Sequence, residues 1–250
     1  MPKFFVNNNQ INGDKITIVG EDVKHISNVL RSKGGDTINI CDVDTSDNYI
    51  AELTDFSKDS VIATIEKKIK SEAEPDIYVH IFQGIPKSDK MELIIQKSVE
   101  LGVKEITPVE MERCISIISG KDEKKKIDRW QKISEVAAKQ SGRDIIPKIN
   151  NVVKIKNIQE RIKDIDLLIV PYENAEDVSF KEIIDDAKKN ERIKSIGIVI
   201  GPEGGFEMEE VEFLSSVGAK IVTLGKRILR TETVALAMSS VIMYEFGGSI

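Results

Sequence analysis

The sequence predicts an α/β protein in which a mostly parallel sheet follows a small N-terminal β-barrel. Three observations predict it. Over residues 1–70, short β-branched or aromatic runs are separated by turns too short to hold crossover helices. From Ile77 onward, apolar strand-like runs alternate with helical ones, the pattern of a parallel sheet with helices on its faces. Between them lies Ser71–Asp76, a polar connector containing Pro75, and a domain boundary is placed there, giving domains 1–72 and 73–250.

The elements of the first domain are set by composition and punctuation. Strands are expected at Phe4–Val6, Lys15–Val19, Thr37–Cys41, Tyr49–Phe56 and Ser60–Lys70. Gly13-Asp14, Gly34-Gly35-Asp36 and Asp44–Asn48 supply the turns. One helix is expected over about Glu21–Leu30, with Val23, Ile26, Val29 and Leu30 as its apolar side. In the second domain the expected strands are Ile77–Phe82, Ile106–Val109, Leu167–Pro171, Ile196–Ile200 and Ile221–Leu224. The expected helices are Asp89–Leu101, Lys124–Ser141, Phe180–Lys189, Glu207–Ser216 and Thr231–Phe246. The last is uncharged from Thr233 to Tyr244, so it is expected in the core and in a subunit interface.

Composition narrows the function. The chain has 250 residues, 40% hydrophobic and 31% charged, which suits a folded domain rather than a disordered one. It has no apolar run of about 18 residues and no signal-like N-terminus, so a cytoplasmic protein without membrane contact is expected. Two cysteines and two histidines make a disulfide framework or a His/Cys metal centre untenable, leaving only a carboxylate Mg²⁺ site open on this count. The net charge is −6, but residues 84–148 carry 14 basic against 11 acidic groups. A phosphate-contacting surface is therefore sought in that stretch.

Three segments carry chemistry. Ile198–Ile200 runs into Gly201-Pro202-Glu203-Gly204-Gly205-Phe206, a strand entering a glycine turn and then a helix. Glycines there allow a ligand close to the backbone at the carboxyl end of a strand, although an ordinary βα turn would read the same way. The turn is neither G-x-G-x-x-G nor a Walker loop, so nicotinamide and nucleoside triphosphate lose their usual support. The second segment is Leu224-Gly225-Lys226-Arg227-Ile228-Leu229-Arg230-Thr231-Glu232. Its apolar pair Ile228-Leu229 inside a basic loop suggests packing on protein or on a ligand ring. Thr231 is read as the helix N-cap, with Glu232 complementing the helix dipole. In the third segment, Lys125, Arg129, Lys132, Lys139 and Arg143 fall within roughly 40° of one helix direction, at about 100° per residue. That stripe suits a phosphate backbone, and a solvated face would also carry it. His25 beside Arg31 and Lys33 is compatible with a nucleic-acid contact, whereas His80 is read as structural. Cys114, with no histidine nearby in sequence, is a poor nucleophile.

Together these segments resemble the ribosomal RNA small subunit methyltransferase E family of the SPOUT class. The residues that carry the resemblance are His25-x3-Val29-Leu30-Arg31, Pro86–Glu92, Gln96-Lys97-x2-Glu100–Val103, Glu112-Arg113, Arg129-Trp130-x3-Ser134, Ala137–Arg143, Ile200–Phe206 and Leu224–Thr233. Departures are Lys3 for a usual Arg, Ser88 for a usual Gly, Val136 for an acidic residue and Val234 for a usual Ala.

The resemblance implies a PUA-like RNA-binding barrel followed by a SPOUT α/β-knot, a trefoil-knotted and mostly parallel sheet. It also implies a homodimer through the SPOUT domain, S-adenosylmethionine (SAM) as methyl donor without a metal, and methylation of N3 of a uridine in the decoding region of 16S rRNA, on the 30S subunit. SAM is then expected against Pro171, Tyr172, Glu173, Gly201, Pro202, Glu203, Gly204, Gly205, Leu224, Gly225, Ile228, Leu229 and Glu232. Catalytic candidates are Arg230 or Arg143 for charge developing on the uracil oxygens and Glu203 as base. Candidates for RNA contact are His25, Arg31, Lys87, Lys90, Arg113, Arg129 and Arg143. A non-catalytic RNA-binding or assembly factor and a SPOUT enzyme acting on another RNA are the alternatives. SAM binding separates the first from an enzyme, and RNA competition separates the second.

Overall fold

Alternation of inward apolar and outward polar side chains builds the first sheet. It comprises β1 (Lys3–Val6), β2 (Ile11–Asn12), β3 (Lys15–Val19), β4 (Thr37–Asp42), β5 (Asn48–Phe56) and β6 (Ser60–Ile69). In β3, for example, Ile16 and Ile18 are buried while Lys15 and Val19 are exposed. The strand order is β1-β4-β5-β6-β3-β2, with β1 parallel to β4 and all other neighbours antiparallel. Two register shifts between β5 and β6, at Ile50/Ala51 and Leu53/Asp55, bend the sheet around a core of Phe4, Ile16, Ile18, Ile40 and Leu53.

The computed structural model describes residues 3–70, 73–116, 118 and 120–248, so Ser71 and Glu72 of the expected connector lie outside the described residues. The chain divides into two compact units: Met1–Glu74 with Ala138–Ile146, and Pro75–Ala137 with Pro147–Ile250.

The helix of the first unit differs from expectation. α1 (Glu21–Lys24) continues as a wider turn over His25–Val29, in which the Leu30 amide reaches back five residues to the His25 carbonyl at 2.9 Å. The extra residue per turn rotates the side chains beyond it to a different face. Val23 and Ile26 are buried as expected, but Val29 is 70% and Leu30 38% exposed. Arg31 then takes a left-handed conformation with φ +54°.

The second unit holds β7 (Tyr78–Gly84), β8 (Glu105–Glu110), β9 (Lys148–Ile149), β10 (Val153–Lys154), β11 (Leu167–Pro171), β12 (Ser195–Ile200) and β13 (Lys220–Val222). All pairings are parallel in the order β10-β8-β7-β12-β11-β13, and β9 also pairs with β8. Every residue of β12 is buried, as a strand covered on both faces requires. The helices are α2 (Lys90–Glu100), α3 (Lys121–Ser141), α4 (Phe180–Ala187), α5 (Met208–Ser216) and α6 (Thr231–Phe246). α4 and α5 open with reciprocal capping boxes, Ser179 with Glu182 and Glu207 with Glu210. The near-continuously apolar α6 buries Ala235, Met238 and Ile242 and packs on α2.

Apart from that first helix, strand and helix ends fall within three residues of those expected. The short strands β2, β9 and β10 and the turn Ile155–Glu160 were not anticipated, since two or three residues carry no readable period. His80 is structural, as expected. It is buried, stacked on Phe82 at 4.0 Å, and hydrogen-bonded through Nε2 to Thr107 Oγ1 at 2.8 Å.

Candidate active site at the carboxyl edge of the parallel sheet

In a parallel sheet all strands end on one side, so the loops after β7, β11, β12 and β13 share one edge. The turn Gly201–Gly205 follows β12, and its glycines and the facing Gly84 have close neighbours. A Cβ on Gly84, the last residue of β7, would lie 2.7 Å from both the ring and the backbone nitrogen of Pro202. Gly205 has φ +72°, and a Cβ there would meet Glu173 Oε1 at 2.7 Å. The turn is braced from behind by Arg113, which donates to the Gly204 carbonyl at 2.9 Å and pairs with Glu207, the N-cap of α5, at 2.7 and 3.1 Å. That contact with Arg113 is also what lowers the Glu207 carboxyl below its usual range.

Two adjoining clefts open at this edge. One, of about 630 Å³, runs between Pro171–Glu173 and Leu224–Leu229. The other, of about 480 Å³, runs between Gly201–Phe206 and Ile228–Thr231. They share Pro171, Glu173, Ile228, Leu229 and Val234. The structure thus brings together twelve of the thirteen residues expected to hold a cofactor: Pro171, Tyr172, Glu173, Gly201, Pro202, Glu203, Gly204, Gly205, Leu224, Gly225, Ile228 and Leu229. Glu232 lies just outside both linings and pairs with Lys90 at 3.3 Å. Ile228 is 88% exposed, an apolar side chain held at the rim rather than packed on the protein. Arg230 lines the smaller cleft, is exposed, and makes no side-chain hydrogen bond or ion pair with the described residues. A larger groove of about 880 Å³, floored by Met111, Ile155 and Phe213, contains none of the expected residues.

Charge at the smaller cleft is organised by Lys90, whose ammonium bridges Glu203 at 3.0 Å and Glu232 at 3.3 Å. The Glu203 carboxylate also accepts the Lys87 amide through both oxygens at 3.2 Å. Partial burial would raise the Glu203 pKa, but these hydrogen bonds and its own amide outweigh burial and hold the carboxyl below the usual range. That makes it a poorer proton acceptor than a free glutamate.

The remaining candidates lie elsewhere. Arg129 projects from α3 and pairs with Glu92 at 2.6 Å. His25 and Arg31 are exposed in the first unit, His25 edge-on to Phe4. Arg143 is not on the α3 stripe, because the helix ends at Ser141 and Gly142 turns the chain at φ +73°. It is 3% exposed within the first unit and grips Glu74 through Nε at 3.2 Å and a terminal nitrogen at 2.6 Å. Thr231 is not the N-cap either. Arg230 occupies that position, and the Thr231 hydroxyl donates to the Gly201 carbonyl at 2.7 Å. Gln83, which donates to Thr231 at 2.8 Å, was missed, because a glutamine inside a strand carries no motif. Among the described residues no group of three or more His, Cys, Asp or Glu could hold a metal.

Comparison with known proteins matches the chain to RNA methyltransferases. A family model described as RNA methyltransferase domain matches residues 73–243, and one described as RNA methyltransferase PUA domain matches residues 18–66. The chain is 38% identical over 235 residues to a ribosomal RNA small subunit methyltransferase E from Bacillus subtilis, covering 92% of this chain and 90% of that protein. It is 36% identical to the protein of that name from Mesomycoplasma hyopneumoniae, covering 94% and 96%. The crystal structure of a ribosomal RNA small subunit methyltransferase E from Neisseria gonorrhoeae bound to S-adenosyl methionine superposes with a TM-score of 0.87 at 31% identity, covering 99% and 98%.

Proposed function

Since the chain belongs to the ribosomal RNA small subunit methyltransferase E family, we propose that it methylates N3 of a uridine in the decoding region of 16S rRNA, acting on the assembled 30S subunit. The coarser activity, SAM-dependent methylation of ribosomal RNA, is given by that membership. The observation that carries the reading is the pair of clefts between Gly201–Gly205 and Leu224–Leu229, with Arg230 exposed at their mouth. Their size lies within the roughly 300–1,000 Å³ typical of small-molecule sites. A side chain on Gly84 would collide with the ring and backbone nitrogen of Pro202 and push the glycine turn that walls the smaller cleft.

When bound there, SAM supplies a methyl group already activated as a sulfonium. Backbone groups of the two loops would hold its adenine and ribose, with Ile228 and Leu229 covering the ring. The protein's remaining task is to orient the uracil and to stabilise charge on its carbonyl oxygens as the N3 proton passes to solvent water. We assign that charge stabilisation to Arg230, which has no partner to give up among the described residues, rather than to Arg143, which is buried against Glu74. Glu203, anchored by Lys90 and Lys87, is assigned to holding the turn.

Domain roles belong to the same reading: residues 1–72 anchor RNA and 73–250 transfer the methyl group. Exposed His25, Val29, Leu30 and Arg31 support the first, and in the second unit exposed Lys87 is a candidate RNA contact of its own. A homodimer is supported by apolar side chains left exposed on the packed pair α2 and α6, with Leu93 at 42%, Val241 at 40% and Tyr244 at 78%. A trefoil knot is supported by the strand order. β12 and β13 flank β11 on opposite sides, yet the chain leaving β13 returns to pack α6 on α2. The place of action is the cytoplasm, with the ribosomal subunit; no helix among the described residues is long and apolar enough to cross a membrane.

The test is mass mapping of 16S rRNA nucleosides from a strain lacking the gene, then addition of purified protein and labelled SAM to 30S subunits and to bare rRNA. Loss of one N3-methyluridine, restored on subunits, is the expected result. An unchanged pattern with SAM still bound points to another RNA. No change and no SAM binding refutes the enzymatic reading in favour of an assembly factor.

A further inference from the structure

The turn Gly201–Gly205 and the loop Leu224–Arg230 belong to different crossovers, yet a ligand filling both clefts must touch both at once. We propose that Gln83 and Thr231 form a buried relay that sets the spacing of these two loops, and so act as positioning residues for the cofactor; this rests on the SAM reading above.

Gln83 is the penultimate residue of β7 and is fully buried. Its Nε2 donates to Thr231 Oγ1 at 2.8 Å and to the Gly84 carbonyl at 3.0 Å. Thr231, 6% exposed, is the first residue of α6, directly after the second loop. Its hydroxyl has one proton, which goes to the Gly201 carbonyl at 2.7 Å, so it must accept from Gln83. One chain of bonds therefore runs from the end of β7 through the start of α6 to the first residue of the glycine turn. Close packing locks the same junction, because Gly84 lies flush against Pro202.

Packing alone does not account for the amide. Gln83 Oε1 is buried without a hydrogen-bond partner among the described residues, an unfavourable arrangement that a methionine of similar volume would avoid. Nor does helix capping account for the Thr231 hydroxyl, since it bonds across to Gly201 and not within α6. Both polar groups are explained by the connection they make between the loops.

The experiment compares the full-length wild type with Thr231→Val, Thr231→Ser, Gln83→Met and the Val/Met double variant. SAM dissociation constants come from calorimetry at about 25 °C, KM for SAM and for 30S subunits from steady-state kinetics, and folding from melting curves. Thr231→Val and Gln83→Met are expected to raise the SAM Kd and KM about tenfold, leaving KM for subunits unchanged. Thr231→Ser keeps the hydroxyl and is expected within about twofold of wild type. The double variant is expected to be no worse than the weaker single, because the two residues act as one unit. A folded Gln83→Met protein with unchanged SAM affinity overturns the relay, and this variant decides if Thr231→Val fails to fold. A serine variant as impaired as the valine one overturns it too, by showing that the methyl packing mattered. A wild type that binds no SAM overturns the cofactor reading itself.

Discussion

Replacing Arg143 by methionine separates a structural arginine from a catalytic one. In the first unit its guanidinium forms a two-pronged pair with Glu74, the two side chains being 3% and 18% exposed. The same Glu74 oxygen that accepts Arg143 Nε also accepts the amides of Asp144 and Ile145 at 3.0 and 3.3 Å. Methionine keeps most of the volume but leaves the Glu74 carboxylate without its cation. Breaking a buried pair from one side costs about 3–5 kcal/mol, because the stranded charge stays desolvated. At roughly 2–4 °C per kcal/mol for a chain of this size, the melting temperature should fall by about 6–20 °C. The double variant Arg143→Met/Glu74→Met removes both charges but also takes the acceptor from the Asp144 and Ile145 amides, so it should recover only part of that loss. Melting curves of the wild type, the two single variants and the double variant read the coupling. Calorimetry with SAM reads the cofactor site, which should change by less than about twofold. A single variant that melts like wild type yet loses methyl transfer a hundredfold would refute the structural assignment and return Arg143 to the chemistry.

Other expectations rest on single residues. Ser88 sits at φ +54°, where an L-residue is strained by about 1–2 kcal/mol. Ser88→Gly relieves that strain but frees the unfolded chain by about 0.4–1 kcal/mol, so a net change between about 0 and 1.6 kcal/mol in favour of the glycine variant should appear in chemical denaturation. Burial pushes the His80 pKa down from 6.5 to about 4. Between those pH values the unfolded chain binds a proton that the folded chain refuses, so stability should decline as pH falls through this window, and His80→Asn should flatten the decline. Burial pushes the Cys41 thiol up to about 12 and raises Cys114 as well. Buried Cys41 should not react with a thiol reagent at about pH 8 until the protein is denatured, whereas half-buried Cys114 should react slowly in the folded protein.

The exposed strip at His25–Arg31 shows how local chemistry misleads. A helical period of about 3.6 residues places Val29 and Leu30 with Val23 and Ile26, but one five-residue backbone bond, from Leu30 to His25, turns them outward. No side-chain pattern announces such a turn, since it is a choice of backbone partner. The basic stripe of α3 departs from its expected composition for a related reason. Its spacing was right for a helix, but Gly142 ended the helix before Arg143, Lys139 paired with Asp22, and Arg129 paired with Glu92. Charge on a helix can be counted from the sequence, whereas its partners belong to other elements.

The sequence by itself determined the class of the fold, the order of its strands and helices, and most walls of the site. The period of the apolar residues reports burial directly, and the Gly-Pro-Glu-Gly-Gly and Arg-Ile-Leu-Arg turns are local backbone requirements written in contiguous residues. Only the tertiary structure decided what joins those turns. Gln83 and Thr231 are 148 positions apart, Lys90 and Glu203 are likewise distant in the chain, and Arg113 reaches Gly204 across the same edge. These contacts arise because parallel strands deliver their ends to one side of the sheet, a juxtaposition that exists only once the strand order is set.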